Sequence, residues 1–226
     1  DDYVMLCDQD DVWCPDKIER TLFAMEKAEE QAGKETPVLV HTDLTVVDED
    51  LRVLASSYRH TVNGNWQRTA LHWELAQNTV TGCTAMYNRA LGDLLQDEPS
   101  FFVMHDWWLA LTASAFGLIV PLDEATILYR QHGDNAVGAK FVRSPRYLLR
   151  RLFDVKGYRK ELAETFLQSE SFYDAFRDRL SPEQRALTAG YGSLSQAGWL
   201  RRRWFQLKNR TVKYGVVKKA AGFLFG

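Results

Sequence analysis

The sequence is poor in cysteine and has no long apolar run. Its three cysteines, Cys7, Cys14 and Cys83, form no CxxC pair, which argues against a paired-cysteine zinc or redox site. We interpret them as reduced side chains of a cytoplasmic protein. No stretch reaches the roughly 18 to 20 apolar residues of a membrane-spanning helix, and Asp1-Asp2-Tyr3 does not begin a signal peptide. The sequence therefore predicts a protein that is soluble or lies on a membrane surface.

An excess of charge of one sign is also missing. The formal net charge is −2, and without a broad basic surface we expect no nucleic-acid partner. Acidic residues are absent after Glu183, whereas Arg and Lys recur as far as Lys219 among several aromatic residues. This composition is typical of an interfacial helix on anionic lipids, with peripheral membrane contact through residues 199–226 at the inner face of the plasma membrane. A basic helix that packs its aromatics on the main domain explains it equally well.

What is present is an ordinary globular composition, with 46% apolar residues in 226, enough for a sizeable core. Tyr3-Val4-Met5-Leu6 reads as a buried strand. Such a strand needs neighbours on both sides, so we expect an upstream part of the fold to be absent from this chain. A helix should follow Asp16, with Ile18, Leu22, Met25 and Ala28 on its apolar face and Gly33 at its end.

Further strands are expected at Val38–Thr42, at Ile119-Val120 and at Ala125–Tyr129, with a hairpin formed by Thr45–Val47 and Arg52–Leu54. A helix should run from Asp106 to Phe116 and end at Gly117. Past residue 143 the pattern is helical, with a helix start at Ser181-Pro182. We therefore predict an α/β domain over residues 1–143 and a helical extension over residues 144–226.

The most distinctive acidic segment is Asp8-Gln9-Asp10-Asp11, directly after the first strand. If the strand continues, its period of two puts Asp8 and Asp10 on one side, where two carboxylates could share a divalent cation. Hard oxygen ligands suit Mg²⁺ or Mn²⁺. The alternative is a solvated acidic turn that caps the next helix.

Two later segments combine polar groups with a predicted element boundary. Asp106 begins an aromatic helix, either as an N-cap or as a general base whose charged form the helix dipole favours. Trp107 and Trp108 are core residues or a platform for a sugar ring. After a predicted strand, Arg130 could offset phosphate charge, and His132 could ligate a metal.

Four segments together resemble family 2 glycosyltransferases of the GT-A fold, in particular the bacterial rhamnosyltransferase-like branch. They are Leu6–Trp13, Asn78–Thr84, His105–Trp108 and Tyr129–Asn135. The fold class implied is a truncated GT-A domain, Rossmann-like with a mixed sheet, that lacks the N-terminal nucleotide-binding half and is followed by the helical region.

The resemblance implies roles for individual residues. Asp8 and Asp10 would form the metal motif with Asp11 beside it, and Asp106 would be the general base of an inverting transfer. His132 would contact the metal or the diphosphate, and Gly82 and Cys83 would line the acceptor side. The implied donor is a dTDP- or UDP-sugar, and the implied acceptor is a glycan or a lipid-linked glycan of bacterial surface polysaccharide synthesis.

Two other functions fit part of the pattern. Asp8-x-Asp10-x-Val12 matches the nucleophile motif of haloacid-dehalogenase-type phosphatases, and Gly92-Asp93 with Asp97 imitates their distal acidic motif. However, Gly92 lies in a predicted helix, where that motif requires the end of a strand. A non-catalytic carbohydrate-binding module is the third alternative, and its aromatic content is compatible.

Overall fold

The computed structural model describes residues 2–62, 64–95, 99–131, 154–215 and 222. Six strands occur in these residues: Tyr3–Met5 (β1), Val12–Trp13 (β2), Val38–Val47 (β3), Val53–Ala55 (β4), Ala85–Asn88 (β5) and Leu118–Arg130 (β6). The α-helices are Lys17–Ala32 (α1), Tyr58–Val62 (α2), Leu71–Glu74 (α3), Arg89–Gly92 (α4), His105–Phe116 (α5), Val155–Phe176 (α6), Pro182–Gly192 (α7) and Trp199–Asn209 (α8). The predicted mixed α/β fold with a helical C-terminal region is confirmed.

Strand β3 lies at the centre of the sheet, whose order is β1-β5-β3-β6-β2 with β4 paired to β3. It runs parallel to β6 and antiparallel to β5. The strand continues beyond the predicted Thr42 because Asp43, although buried, is satisfied: its carboxylate accepts hydrogen bonds from the Ser57 hydroxyl and the Arg59 backbone. The predicted hairpin is confirmed as the antiparallel pair of β3 and β4.

Strand β6 replaces the two short strands predicted for this segment. Its register against β3 shifts between His41 and Asp43 and again between Asp43 and Thr45. These irregularities let one strand pass through Pro121 and the acidic residues after it without a break. As a result β6 extends to Arg130, next to the segment that carries the acidic motif.

Helix α1 begins and ends as predicted and buries Met25 and Ala28 of the predicted apolar face, but not Ile18. Its inward side carries Thr21, Met25 and Ala28 together with Lys17, whereas Ile18 is exposed. Within the helix, the buried Thr21 hydroxyl donates to the Lys17 carbonyl at 2.6 Å, which satisfies its hydrogen-bonding need. The prediction that Ile18 belongs to the apolar face is wrong.

Helix α5 is fixed to the sheet at its C-terminal end. Gly117 follows the helix, and the next backbone N–H, of Leu118, donates to the Pro37 carbonyl at 2.9 Å. A Cβ on Gly117 would lie 1.8 Å from that carbonyl oxygen, so only glycine permits the approach. The packing sets the direction of α5 and thereby the place of Asp106 at its other end.

The C-terminal helices share a core with α5. The ring of Trp108 meets that of Phe172 edge-on at 5.3 Å between centroids, and Phe166 stacks similarly on Tyr191. Helix α7 begins with the expected Ser181 cap and Pro182. The predicted boundary near residue 143 lies outside the described residues, so the division into 1–143 and 144–226 stays a prediction. None of the described helices combines the length and apolarity needed to span a membrane.

Candidate metal and catalytic site

Residues 8–11 form a turn between β1 and β2. β1 ends at Met5, so the alternation of a continued strand does not govern the acidic motif, and the pairing of Asp8 with Asp10 on that argument is wrong. The first and fourth residues of a turn approach each other. Here these are Asp8 and Asp11.

The two carboxylates meet the thiol of Cys83. One oxygen from each of Asp8 and Asp11 lies with Cys83 Sγ in a group whose atoms are all within 4.8 Å of one another. Asp10 is not a member of this group, and its carbonyl instead accepts a hydrogen bond from Arg130 Nε at 3.0 Å. The arrangement brings together two of the three predicted carboxylate ligands and adds a sulfur that the sequence argument had placed on the acceptor side.

The environment of Asp11 fits a bound cation. Its Oδ1 accepts a hydrogen bond from the Arg130 backbone at 3.0 Å. Its Oδ2 is buried and has no hydrogen-bond partner among the described residues, which is unusual for a carboxylate oxygen. Burial raises the pKa of Asp11, while the hydrogen bond from the Arg130 backbone and the nearby Cys83 side chain lower it. Two carboxylates are oxygen donors that Mg²⁺ or Mn²⁺ can use, whereas burial raises the pKa of the Cys83 thiol, and a protonated sulfur is not a metal ligand.

Lys17 is an unpredicted member of this neighbourhood. Its side chain is fully buried, and its Nζ has no hydrogen-bond partner within the described part of the chain. The ammonium lies 5.0 Å from the centroid of the Trp13 ring, a cation–π contact. Burial lowers the pKa of Lys17 to about 8 and outweighs the opposing influence of the neighbouring cysteines and Asp11. The sequence gives no signal for this, because one lysine on a helix looks like any solvated one.

Asp106 is held by the loop that precedes β5. One carboxylate oxygen accepts from Asn78 Nδ2 at 3.1 Å and the other from the Gly82 backbone at 3.0 Å. The side chain is only 3% exposed. The N-cap of α5 is Met104, so the alternative that Asp106 is merely the N-cap is wrong.

The electrostatics of Asp106 also differ from expectation. The helix N-terminus was expected to favour the charged form. Burial instead raises the pKa of Asp106, and it outweighs the lowering by His105 and by the hydrogen bonds from Gly82, Trp107 and Asn78. A carboxyl with a raised pKa is closer to the range in which it can accept and return a proton at neutral pH.

A short 3-10 helix, Gly82–Thr84, joins the two centres. Gly82 donates its N–H to Asp106, and the adjacent Cys83 lies with Asp8 and Asp11. Gly82 and Cys83, both buried, thus connect Asp106 to the group formed by Asp8 and Asp11. Their predicted contact with the acceptor stays a prediction.

Trp107 and Trp108 do not form a sugar platform. Trp107 Nε1 donates to the Glu74 carbonyl at 2.7 Å, and both indoles are buried. Trp108 packs against Phe172 and Phe176. Burial of both rings argues against the predicted acceptor contact, because neither ring presents an open face to a ligand.

Arg130 serves the acidic turn directly. Besides its contacts with Asp10 and Asp11, its Nη1 donates to the Glu49 carbonyl. These contacts hold the turn against the end of β6, and the proposed contact with a phosphate stays a prediction. His132 lies outside the described residues, so its predicted role as a metal or diphosphate ligand also stays a prediction.

Asn78 is a site residue that sequence reasoning left without a role, although it stands in one of the four recognised segments. Near it, Glu74 is fully buried and binds the Thr79 hydroxyl. Burial raises the pKa of Glu74 to about 8, with a further contribution from the charge of Asp106. A second protonatable carboxyl therefore lies behind the loop that carries Asn78.

Comparison with known proteins agrees in part with the sequence resemblance. The chain is 25% identical over 174 residues to the dTDP-rhamnosyl transferase RfbG of Shigella flexneri, an alignment that covers 72% of this chain and 54% of the relative. The chain thus spans about half the length of the curated relative it matches. No family model matches the sequence, and no solved structure matches it. The similarity indicates a distant relationship to a glycosyltransferase.

Proposed function

We propose that the chain is part of an inverting, metal-dependent glycosyltransferase that uses a nucleotide-diphosphate sugar. The observation that carries the proposal is the junction at Gly82-Cys83, which connects the group of Asp8 and Asp11 to Asp106 through two adjacent residues. A transferase needs these two functions side by side, one for the departing diphosphate and one for the attacking hydroxyl. The distant similarity to a dTDP-rhamnosyl transferase supports the same class of reaction.

Asp8 and Asp11 would hold a Mg²⁺ or Mn²⁺ ion, with Cys83 as a third neighbour. When bound, such an ion neutralises charge on a diphosphate and stabilises it as a leaving group. Arg130 keeps Asp11 in place through its backbone N–H and holds the turn through its guanidinium. Carboxylate ligands suit both Mg²⁺ and Mn²⁺.

Asp106 would act as the base. Its carboxylate takes the proton of an acceptor hydroxyl, whose oxygen attacks the anomeric carbon while the bond to the nucleotide diphosphate breaks. One displacement inverts the configuration and leaves no covalent intermediate on the protein. Asn78 and Gly82 orient the carboxylate for this step through their hydrogen bonds.

The proposed donor and acceptor follow from the name of the relative and from the sequence resemblance. The name of the relative specifies a dTDP donor and a rhamnosyl group, and we extend a dTDP-sugar donor, with a UDP-sugar as the alternative, to this chain. A glycan or lipid-linked glycan acceptor of surface polysaccharide synthesis completes the proposal. The protein would act in the cytoplasm or at the inner face of the plasma membrane.

Calorimetric titration of dTDP and UDP into the full-length protein, each with Mn²⁺ and with EDTA, tests the proposal. We expect Mn²⁺-dependent binding that Asp11→Asn abolishes. The matched control is Asp178→Asn, which removes an exposed carboxylate in the turn after α6. Binding that is the same in EDTA and in Asp11→Asn, or no binding of either nucleotide to the folded protein, would overturn it.

The same titration addresses the alternatives. A carbohydrate-binding module would bind sugars without metal and without preference for a nucleotide. The phosphatase alternative has no structural support, because Gly92 is the last residue of helix α4 and not the end of a strand. Asp97 of its proposed distal motif lies outside the described residues.

A further inference from the structure

Helix α8 exposes the apolar side chains that an amphipathic helix normally buries. Leu200, Trp204 and Leu207 are 76%, 61% and 66% exposed, whereas Arg203 and Gln206 face inward. Residues at spacings of four and three lie on one side of a helix. These three side chains therefore form one outward-facing row, called here the α8 stripe, whereas Phe205 of the same helix packs against Tyr191.

Cations flank the α8 stripe. Arg201, Lys208 and Arg210 are exposed beside it, and the Lys208 ammonium lies 4.8 Å from the centroid of the Trp204 ring. No acidic residue follows Glu183 in the sequence. An outward apolar row with tryptophan, bordered only by positive charge along its own segment, is the pattern of a helix that lies in a lipid interface.

We propose that the α8 stripe docks on an anionic lipid surface, with Leu200, Trp204 and Leu207 in the headgroup region and the flanking cations on the lipid phosphates. Packing of the aromatics on the main domain, the other explanation of this segment, does not hold for Trp204. The proposal is independent of whether the chain transfers a sugar.

The positive charge around the α8 stripe favours an anionic lipid surface over a second copy of the chain as its partner. Two α8 stripes facing each other would bring Arg201 and Lys208 of both copies together, and like charges across an interface oppose association. An anionic membrane supplies the opposite charge over the whole helix, and each cation near such a surface strengthens attraction. Lys218 and Lys219 follow α8 in the sequence, whereas Lys213 is 14% exposed and pairs with Glu161 at 3.6 Å.

Flotation of the full-length protein with vesicles tests the proposal. We expect the protein to bind vesicles of phosphatidylcholine that contain about 30 mol% phosphatidylserine. Binding to pure phosphatidylcholine vesicles should be weaker by at least about tenfold. The triple variant Leu200→Gln/Trp204→Gln/Leu207→Gln should lose binding to both, also by about tenfold or more. Arg201→Gln/Lys208→Gln should weaken binding to the anionic vesicles alone.

The chain offers a matched control on α1. Ile18 and Phe23 are also exposed apolar residues, at 54% and 68%, but Glu19 and Glu26 stand beside them. Ile18→Gln/Phe23→Gln should float like the wild type. Circular dichroism of each variant verifies that the fold is retained.

Three results would overturn the proposal. The first is failure of the wild type to float with anionic vesicles, and the second is equal flotation of the triple variant. The third is concentration-dependent dimerisation, measured by sedimentation equilibrium, that the triple variant abolishes while vesicle binding is absent. That last outcome would assign the α8 stripe to a second copy.

Discussion

The candidate site buries charged side chains, whereas helix α8 exposes apolar ones. In the site, Lys17, Glu74 and Asp106 are charged or protonatable groups enclosed by the fold, whereas α8 turns Leu200 and Trp204 to the solvent. Soluble proteins usually bury the second kind of side chain and expose the first. Neither arrangement favours stability of the isolated chain, and each leaves side chains that a binding partner could contact. For the site this partner would be small and polar, and for α8 it would be an extended apolar surface.

The sharpest test of the buried-charge region is Asp106→Asn in the full-length protein. Asparagine keeps the shape but cannot take a proton, so we expect turnover to fall by about 10²–10⁴-fold. Nucleotide binding, measured by calorimetry, should stay unchanged because Asp106 is separate from the carboxylate group. Near-normal turnover in this variant would remove Asp106 from the mechanism, and Asp178→Asn is the control.

The next largest effect should come from Gly117→Ala. The added Cβ would meet the Pro37 carbonyl oxygen at 1.8 Å, and because this is backbone it cannot move aside without disturbing α5 and the start of β6. We expect a loss of about 3 kcal/mol in the free energy of unfolding, measured by urea denaturation. Gly198→Ala is the matched control, since a Cβ there meets nothing within 4 Å. Equal stability of the two variants would contradict the close approach.

Lys17→Met tests whether the buried ammonium costs stability. Methionine has similar length and no charge, so at pH 7 we expect the variant to be more stable by about 1 to 2 kcal/mol. Lys27→Met, which removes an exposed lysine of the same helix, should change little.

The pH dependence of this gain follows from the lowered pKa of Lys17, about 8 in the folded chain against 10.5 ordinarily. Below pH 8 the lysine is charged in both states, and the folded state bears the full cost. As the pH rises from 8 to 10.5, the folded protein releases the proton while the unfolded chain still holds it, so wild-type stability increases. The advantage of Lys17→Met should therefore shrink across this window in thermal melts, and a gain that is constant with pH would contradict burial of the charge.

The smallest change in stability is expected for the exposed apolar residues of helix α8. Leu200→Gln and Leu207→Gln, measured without lipid, should change the free energy of unfolding by no more than about 0.5 kcal/mol, because these side chains contact water already. A loss above about 2 kcal/mol would show that other parts of the protein cover the α8 stripe. The stripe would then not be an exposed apolar surface.

The sequence predicted much of the fold because the signals it used act over a few residues. Gly33 and Gly117 ended helices as expected, and Ser181-Pro182 began one. The strand at Val38 and the hairpin after it followed from local pattern and turn residues. Predictions failed where a distant contact decided: β6 continued through Pro121 because β3 adjusts its register, and α1 turned Lys17 inward.

For the candidate site, the sequence by itself determined which chemical groups are available, namely the carboxylates of residues 8–11 and Asp106 and the segment Asn78–Thr84. Only the tertiary structure decided which of them meet. Asp11 gains the backbone of Arg130 from 119 positions away, Cys83 joins the carboxylates, and Trp108 packs against Phe172 and Phe176 of a later helix. The same holds for α8, whose composition predicted an amphipathic helix but not which side faces outward. The physical reason is that periodicity and capping are local properties of the backbone, whereas burial and convergence depend on how the sheet and helices pack.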